Sequence, residues 1–123
     1  MGERCSFDGF TFGGPWFVDT TNHDVDAEHI TTDCLAWIDE SHCFFAWIST
    51  LDGYGTLAEL GYAKARGKPI FVAFDRASLT HVDIAELWFI RRLADEYCVV
   101  DSANSAFAIF THWLYARRQA QRW

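Results

Sequence analysis

The strongest constraint on this chain is the alternation of short apolar runs with segments of helical periodicity. The apolar runs are rich in aromatic residues, which is typical of buried strands. They span 10–18, 42–49, 69–74 and 97–100. In the other segments, apolar residues recur three or four positions apart, which is typical of helices. These segments span 30–38, 57–65, 84–93 and 103–120.

A strand followed by a helix, repeated along a chain, predicts an α/β domain. The predicted sheet is parallel, has about four to five strands and is covered by helices on both faces, with right-handed crossovers. No linker or internal repeat divides residues 1–123. We therefore expect a single three-layer domain over the whole length.

Charge and composition exclude several classes of partner. The formal net charge of -7 and a pI near 5.0 argue against a nucleic-acid polymer, which usually binds to a basic face, but leave a small nucleotide open. The apolar run 43–48 is far shorter than the roughly 20 residues that span a bilayer. The first ten residues lack a secretory signal, and the four cysteines have no CxxC spacing. We expect a cytoplasmic protein with reduced thiols and no membrane segment.

Three segments follow predicted strands and are expected to meet at one edge of the sheet. They are 13–17, 51–59 and 74–78, and ligands of open α/β sheets bind outside the carboxyl ends of the strands. Glycines in the first two segments allow close approach of the backbone to a ligand, although the Gly-Gly-Pro of the first also fits an ordinary turn. This edge is the predicted binding site.

Glu59 has two interpretations at this stage. Thr56 and Glu59 match a capping box, in which each side chain bonds the backbone amide of the other residue, and this role needs no substrate. Alternatively, Glu59 is a catalytic carboxylate that follows the second strand and its acidic loop. Spacing alone favours the cap.

The amino-acid sequence from residue 55 onward favours the second interpretation. The segment "GTLAELGYAKARGKPI" resembles the signature of the nucleoside 2-deoxyribosyltransferases and their relatives, in which a Gly-Thr pair is followed by a glutamate and then by Gly-Tyr-Ala. The segment "FGGPWFVD" (12–19) is similar to the stretch that closes the first strand of that family. The matching blocks, 12–19 and about 35–74, cover roughly half of the chain, and the fold that the family implies is flavodoxin-like.

The resemblance implies cleavage or transfer at the N-glycosidic bond of a nucleoside or nucleotide. In the family, the glutamate that matches Glu59 attacks the anomeric carbon and forms a glycosyl-enzyme ester, a task that suits a carboxylate. The start of a helix would help to keep it ionised, and Asp52 is the candidate acid or orienting group. No cofactor or metal is implied. The expected substrate-binding residues are Gly13, Gly14, Pro15, Trp16, Phe17, Asp39, Ser41, Tyr54, Gly55 and Thr56.

The chain departs from the family pattern at two places. Thr11 or Phe12 stands where some members have a tyrosine that orients the nucleophile, and Tyr54 could supply that phenol instead. Ser41 stands where many members have an aspartate that contacts the base, with Asp39 just upstream. Three readings therefore stay open: a transferase, a hydrolase of NAD or a nucleoside monophosphate, and a module that senses a nucleotide without turning it over.

Two further expectations concern metals and association. The segment 22–29 has two histidines and three acidic residues, but its spacing fits no zinc or calcium pattern, and we expect a polar loop and helix start. If it serves the site, His23 or His29 would contact a phosphate or the sugar hydroxyls. Because the domain is small and rich in aromatic residues, we also expect a homodimer or larger homo-oligomer, with aromatic residues of the last two helices at the contact.

Overall fold

The computed structural model describes residues 5–7, 10–12 and 23–120, with side chains from residue 28 onward. The strands are β1 (Cys5–Phe7), β2 (Phe10–Phe12), β3 (Phe44–Ile48), β4 (Ile70–Asp75) and β5 (Glu96–Val100). The helices are α1 (His23–Glu40), α2 (Tyr54–Ala65), α3 (His81–Glu86), α4 (Trp88–Leu93) and α5 (Ala103–Ala120). None of the helices in this described part is long and apolar enough to cross a lipid bilayer.

Strands β3, β4 and β5 form one parallel sheet in that order. Phe44 lies opposite Ile70, and Phe71 lies opposite Glu96. The central strand β4 is buried along Ile70–Phe74, which explains its unbroken apolar sequence, since a central parallel strand is covered on both faces. Helix α2 connects β3 to β4, and α3 with α4 connects β4 to β5. The predicted α/β class is confirmed.

Alternation of side chains along β4 divides the core into two parts. Ile70, Val72 and Phe74 pack on one face together with residues of α1, α2 and α4. Phe71 and Ala73 pack on the other face against α5. Because successive side chains of a buried strand point to opposite faces, both faces need cover, and the prediction of helices on both faces is confirmed.

The first apolar run does not join this sheet within the described residues. Phe10–Phe12 pairs antiparallel with Cys5–Phe7, and the two strands form a sheet of their own. The prediction that 10–18 opens the parallel sheet is therefore wrong for Phe10–Phe12, and 13–18 lies outside the described residues. Asp8-Gly9 separates the two strands in the sequence, and an Asp-Gly pair in that position is a strong hairpin signal. The parallel sheet has three strands in the described part, where about four to five were expected.

The helices agree with the predicted segments except at their boundaries. Helix α5 covers the predicted 103–120. Helix α1 begins at His23, so most of the polar segment 22–29 is helical. The predicted helix over 84–93 is divided, because Leu87 takes φ -90° and ψ 27° between α3 and α4. Leu87, at the division, and Ile90, in α4, are both in the core.

Candidate functional site

The loop between β3 and α2 lies at the carboxyl edge of the parallel sheet. Asp52 is exposed on this loop, and its carbonyl oxygen accepts a hydrogen bond from the Tyr54 amide at 2.8 Å. Gly53 precedes the helix, and Tyr54 opens it with a side chain that is 75% exposed. Gly55 is exposed and Thr56 is half-buried in the first turn. The fold thus gathers these predicted site residues on one loop and helix start.

The capping box that the sequence predicts at Thr56 and Glu59 is absent. Helix α2 begins at Tyr54, with Gly53 as its N-cap and without a side-chain cap bond. Thr56 is therefore the third residue of the helix, where its backbone is already helical. The helix starts three residues earlier than the capping box requires, at Tyr54 instead of Leu57. Leu57, Leu60 and Ala63 face the apolar core. The structural role proposed for Glu59 is wrong.

Glu59 is a partly buried carboxylate on the second turn of α2. Burial raises its pKa above the ordinary value, because removal from water penalises the charged form. Within residues 28–120 its carboxylate has no hydrogen-bond or ion-pair partner. As the sixth residue of α2 it also lies beyond the first turn, where the helix dipole acts most strongly. Desolvation therefore governs this carboxyl group, and the expected help from the helix start is small.

Helix α1 provides the surface that Glu59 faces. Burial raises the pKa of the Cys34 thiol, and the nearby charges of Glu59 and then Asp33 raise it further. Asp33 Oδ2 lies 3.5 Å from His29 Nε2, one helical turn away. Cys34, Cys43 and Cys98 are free thiols. Glu59 on α2 thus lies near Cys34 on α1.

Asp39 and Ser41 lie at the opposite edge of the sheet from Asp52. They precede β3, whose five residues separate the two edges by roughly 15 Å. Both oxygens of the Asp39 carboxylate accept from the Tyr62 hydroxyl at 2.9 Å, and one accepts from Arg66 Nε at 2.7 Å. The Ser41 hydroxyl donates to the Ile38 carbonyl at 2.8 Å. The structure therefore places Asp39 and Ser41 at the other end of β3 from Asp52, and the contacts of Asp39 join α1 to α2.

The remaining predicted residues, Gly13, Gly14, Pro15, Trp16 and Phe17, lie outside the described residues. Thr11 and Phe12, which stand near the family's tyrosine position, belong to the antiparallel strand β2. The loop of Asp52 and the segment 13–17 were expected to share a cleft between neighbouring parallel strands. Within the described residues, β3, β4 and β5 follow chain order without a reversal. Because 13–17 lies outside them, the shared cleft stays a prediction.

A second concave region lies on the other side of β4. A groove of about 820 Å³ follows the loop after β4, α3 and the edge strand β5. Of the segment 74–78, predicted to reach the carboxyl edge, Arg76, Ala77 and Ser78 line it. Sequence reasoning missed Arg91 and Tyr97. The available signal was spacing: Arg91 follows the buried Leu87 by four residues, which places a cation on an inward-facing stripe.

Among the described residues there is no candidate metal-binding site. In residues 28–120, where side chains are described, no three His, Cys, Asp or Glu side chains are grouped so that they could hold an ion. His42, His81 and His112 are exposed.

Comparison of the chain with protein-family models, with curated proteins and with solved structures found no match.

Proposed function

We propose that the chain is a flavodoxin-like domain that cleaves or transfers at the N-glycosidic bond of a nucleoside or nucleotide, with Glu59 as the nucleophile. The observation that carries the proposal is the state of Glu59: a partly buried carboxylate, without a hydrogen-bond partner among the described residues, just past the carboxyl edge of a parallel sheet. Desolvated carboxyl groups in such positions are expensive to maintain and are enriched at functional sites.

The proposed reaction uses the residues of one loop and one helix. A Glu59 oxygen attacks the anomeric carbon, the bond from that carbon to the base nitrogen breaks, and its electron pair leaves with the base. Asp52, on the preceding loop, supplies or orients the proton that the base takes up. Water or a second base then attacks the same carbon and releases Glu59. Tyr54, Gly55 and Thr56 border the sugar.

Ionisation of Glu59 sets the pH dependence of this reaction. The attacking form is the carboxylate, and burial raises the pKa of this group. The rate should therefore rise with pH through the Glu59 pKa and fall as the group is protonated at lower pH. The transition at the acid side should lie above the roughly 4.3 of an ordinary glutamate. A pH profile of base release measures it.

The decisive experiment is base release from a mixed set of substrates. The protein is incubated with deoxynucleosides, ribonucleosides, their monophosphates and NAD, and free bases are separated by chromatography. Glu59→Gln should lower turnover by several orders of magnitude, since an amide cannot form the ester. Glu86→Gln is the matched control, because it makes the same change on an exposed residue of α3. Equal loss in both variants, or undiminished turnover in Glu59→Gln, would contradict the proposal.

Two other outcomes of the same experiment identify the alternatives. Release that needs only water and occurs with NAD or a nucleoside monophosphate indicates a hydrolase, whereas a transferase needs an acceptor base. Saturable binding of a nucleotide without any free base indicates a sensing module. We place the enzyme first because Glu59 has no hydrogen bond or ion pair within residues 28–120 that would explain its burial.

The setting proposed for this activity is the cytoplasm, and the active form is a homodimer or larger assembly. The argument for assembly is the exposure of large apolar side chains on the last helices, notably Trp88 and Phe89 on α4 and Tyr115 on α5. No cofactor takes part in the proposed chemistry.

A further inference from the structure

The groove beside β5 is lined by groups suited to an anion. Its walls include Arg76, Leu79, His81, Ile84, Arg91 and Tyr97. Two are arginines, and none of the described residues that line it is acidic. The chain as a whole carries a formal net charge of -7. A concave surface whose formal charges are all positive, on a protein of the opposite sign, concentrates anions locally.

Arg91 is the group that the groove leaves unsatisfied. Its Nε atom is buried and has no hydrogen-bond acceptor, and the guanidinium lies 5.9 Å from the centre of the Tyr97 ring. Arg91 also has no salt bridge within the described residues. A buried donor without an acceptor is destabilising, and such groups in a folded protein call for a ligand or another explanation.

Arg76 differs from Arg91 because its hydrogen bonds are made within the protein. Its guanidinium donates to the Val99 carbonyl at 2.7 Å and to the Asp101 carboxylate at 3.3 Å. Arg117 Nε is also buried without an acceptor, but Arg117 does not line this groove. Of these three arginines, therefore, only Arg91 both lines the groove and has a buried Nε without an acceptor.

The rest of the groove indicates what the anion carries. Leu79 is buried, Ile84 is partly buried, and the Tyr97 ring is 42% exposed. These side chains offer an apolar and aromatic surface next to the cation. The volume of about 820 Å³ falls within the usual range for small-molecule sites, which is roughly 300–1,000 Å³.

We propose that this groove is a binding site for a small organic anion, whose acid group binds Arg91 and whose flat apolar part packs against Leu79, Ile84 and Tyr97. A planar guanidinium fork pairs with a carboxylate or a phosphate through two parallel hydrogen bonds. The site is separate from Glu59, which does not line the groove. The inference does not depend on the proposed chemistry at Glu59.

The test compares a charged probe with its neutral counterpart. Benzoate and benzamide have nearly the same shape, and only benzoate carries a charge at neutral pH. Each is titrated into ¹⁵N-labelled protein at constant ionic strength, and the Arg91 Nε–Hε signal and the Tyr97 amide are followed by NMR. Benzoate should bind saturably and at least about tenfold more tightly than benzamide, because hydrogen bonds to charged groups are worth that factor or more. Both signals should shift together.

Two variants assign the effect to the groove. Arg91→Gln should weaken benzoate binding at least about tenfold. Arg92→Gln, at an exposed neighbour that does not line the groove, should leave it unchanged. The comparison of benzoate with benzamide in the wild-type protein decides the matter even if Arg91→Gln does not fold.

A second pair of probes tests the nature of the acid group and the apolar part. Phenyl phosphate in place of benzoate shows which acid the site prefers, and either preference is consistent with the proposal. Inorganic phosphate should bind more weakly than phenyl phosphate, because it lacks the apolar part. The proposal is overturned by equal binding of benzoate and benzamide, by benzoate binding that Arg91→Gln leaves intact, or by phosphate and phenyl phosphate binding alike.

Discussion

At the scale of single residues, Glu59 is distinguished because its partial burial destabilises the folded state when the carboxyl group is ionised. Because its folded pKa is raised, the folded state binds more protons than the unfolded state between the two pKa values. Its contribution to stability is then fully present below the unfolded pKa, roughly 4.3, and is lost as the pH rises through the folded pKa. Glutamine, a neutral isostere, does not lose this stability as the pH rises.

Glu59→Gln should therefore stabilise the protein at neutral pH, by less than about 1 kcal/mol because the side chain is only partly removed from water. The difference in unfolding free energy between the variant and the wild type should shrink as the pH falls towards 4, because the glutamate then becomes protonated. Urea unfolding across this pH range measures it. A variant less stable than wild type at neutral pH would mean that the carboxylate makes a stabilising contact. Glu86→Gln, with the same chemistry at an exposed site, serves as the reference.

Asp39, unlike Glu59, has hydrogen-bond partners within the protein, and these contacts explain why a carboxylate stands at this position. The hydrogen bond from Tyr62 is the main cause that raises the pKa of that phenol, followed by burial and by the charge of Asp39, while Arg66 lowers it. Asp39→Ala should move the Tyr62 pKa back towards its ordinary value and should weaken the fold by less than about 1 kcal/mol, the usual range for exposed ion pairs.

NMR titration of the tyrosine ring carbons measures the Tyr62 pKa in the wild type and in the variant. Under the proposed function, Asp39→Ala also leaves base release intact. A loss of turnover in that variant without a change in the Tyr62 titration would return Asp39 to the list of base-contacting residues.

At the scale of elements, two similar sequences behave differently at helix starts. Thr80 and Asp83 form a complete capping box at α3: the Asp83 amide donates to the Thr80 hydroxyl at 3.1 Å, and the Thr80 amide donates to the Asp83 carboxylate at 2.9 Å. Thr56 and Glu59 have the same spacing in α2 and form no such bonds. The chain thus contains its own matched control.

Thr80→Ala should lower the free energy of unfolding by about 1 kcal/mol, because it removes the acceptor for an amide that has no partner within the helix. Thr56→Ala should change it by less than about 0.5 kcal/mol, because alanine suits a helix interior at least as well as threonine does. Denaturant unfolding of both variants gives the comparison. Equal effects would mean that Thr56 caps α2 in solution.

The same contrast shows why element types were easier to predict than helix starts. The unbroken apolar sequence of 69–74 and the long periodic stretch of 103–120 have few alternatives, and the structure has β4 and α5 there. The start of α2 is a choice between two N-caps, Gly53 and Thr56, that differ little locally. The helix begins after Gly53, and Leu57 and Leu60 would pack on the core with either start, so the local sequence does not distinguish the two.

At the scale of the whole molecule, pairing between distant segments is where sequence reasoning was weakest. An aromatic run such as 10–18 fits a parallel strand or a hairpin equally well by composition, and only the partner distinguishes them. The described sheet of β3, β4 and β5 follows chain order, which is compatible with part of a flavodoxin-like sheet. The sequence predicted the loop that carries Asp52 and the helix that carries Glu59. It did not predict that Asp39 lies at the opposite end of β3 from Asp52, because that separation depends on the length of the strand.

Assembly is the remaining question at this scale, and the surface of α4 makes it testable. Trp88 and Phe89 are 58% and 57% exposed and contact each other edge to face, with ring centroids 5.7 Å apart. Two adjacent aromatic rings on a surface are typical anchors of a protein interface. We expect the protein to sediment as a homodimer or larger assembly at micromolar concentration.

Trp88→Glu and Phe89→Glu should each weaken this association at least about tenfold, since an interface aromatic residue often contributes 2 kcal/mol or more. Leu51→Glu is the control, because Leu51 is 43% exposed on the loop after β3, the strand at the other edge of the sheet from β5. Sedimentation velocity over a range of concentrations separates the three variants. A wild-type monomer at micromolar concentration would refute the assembly, and dissociation by Leu51→Glu alone would move the contact from α4 to the β3 edge.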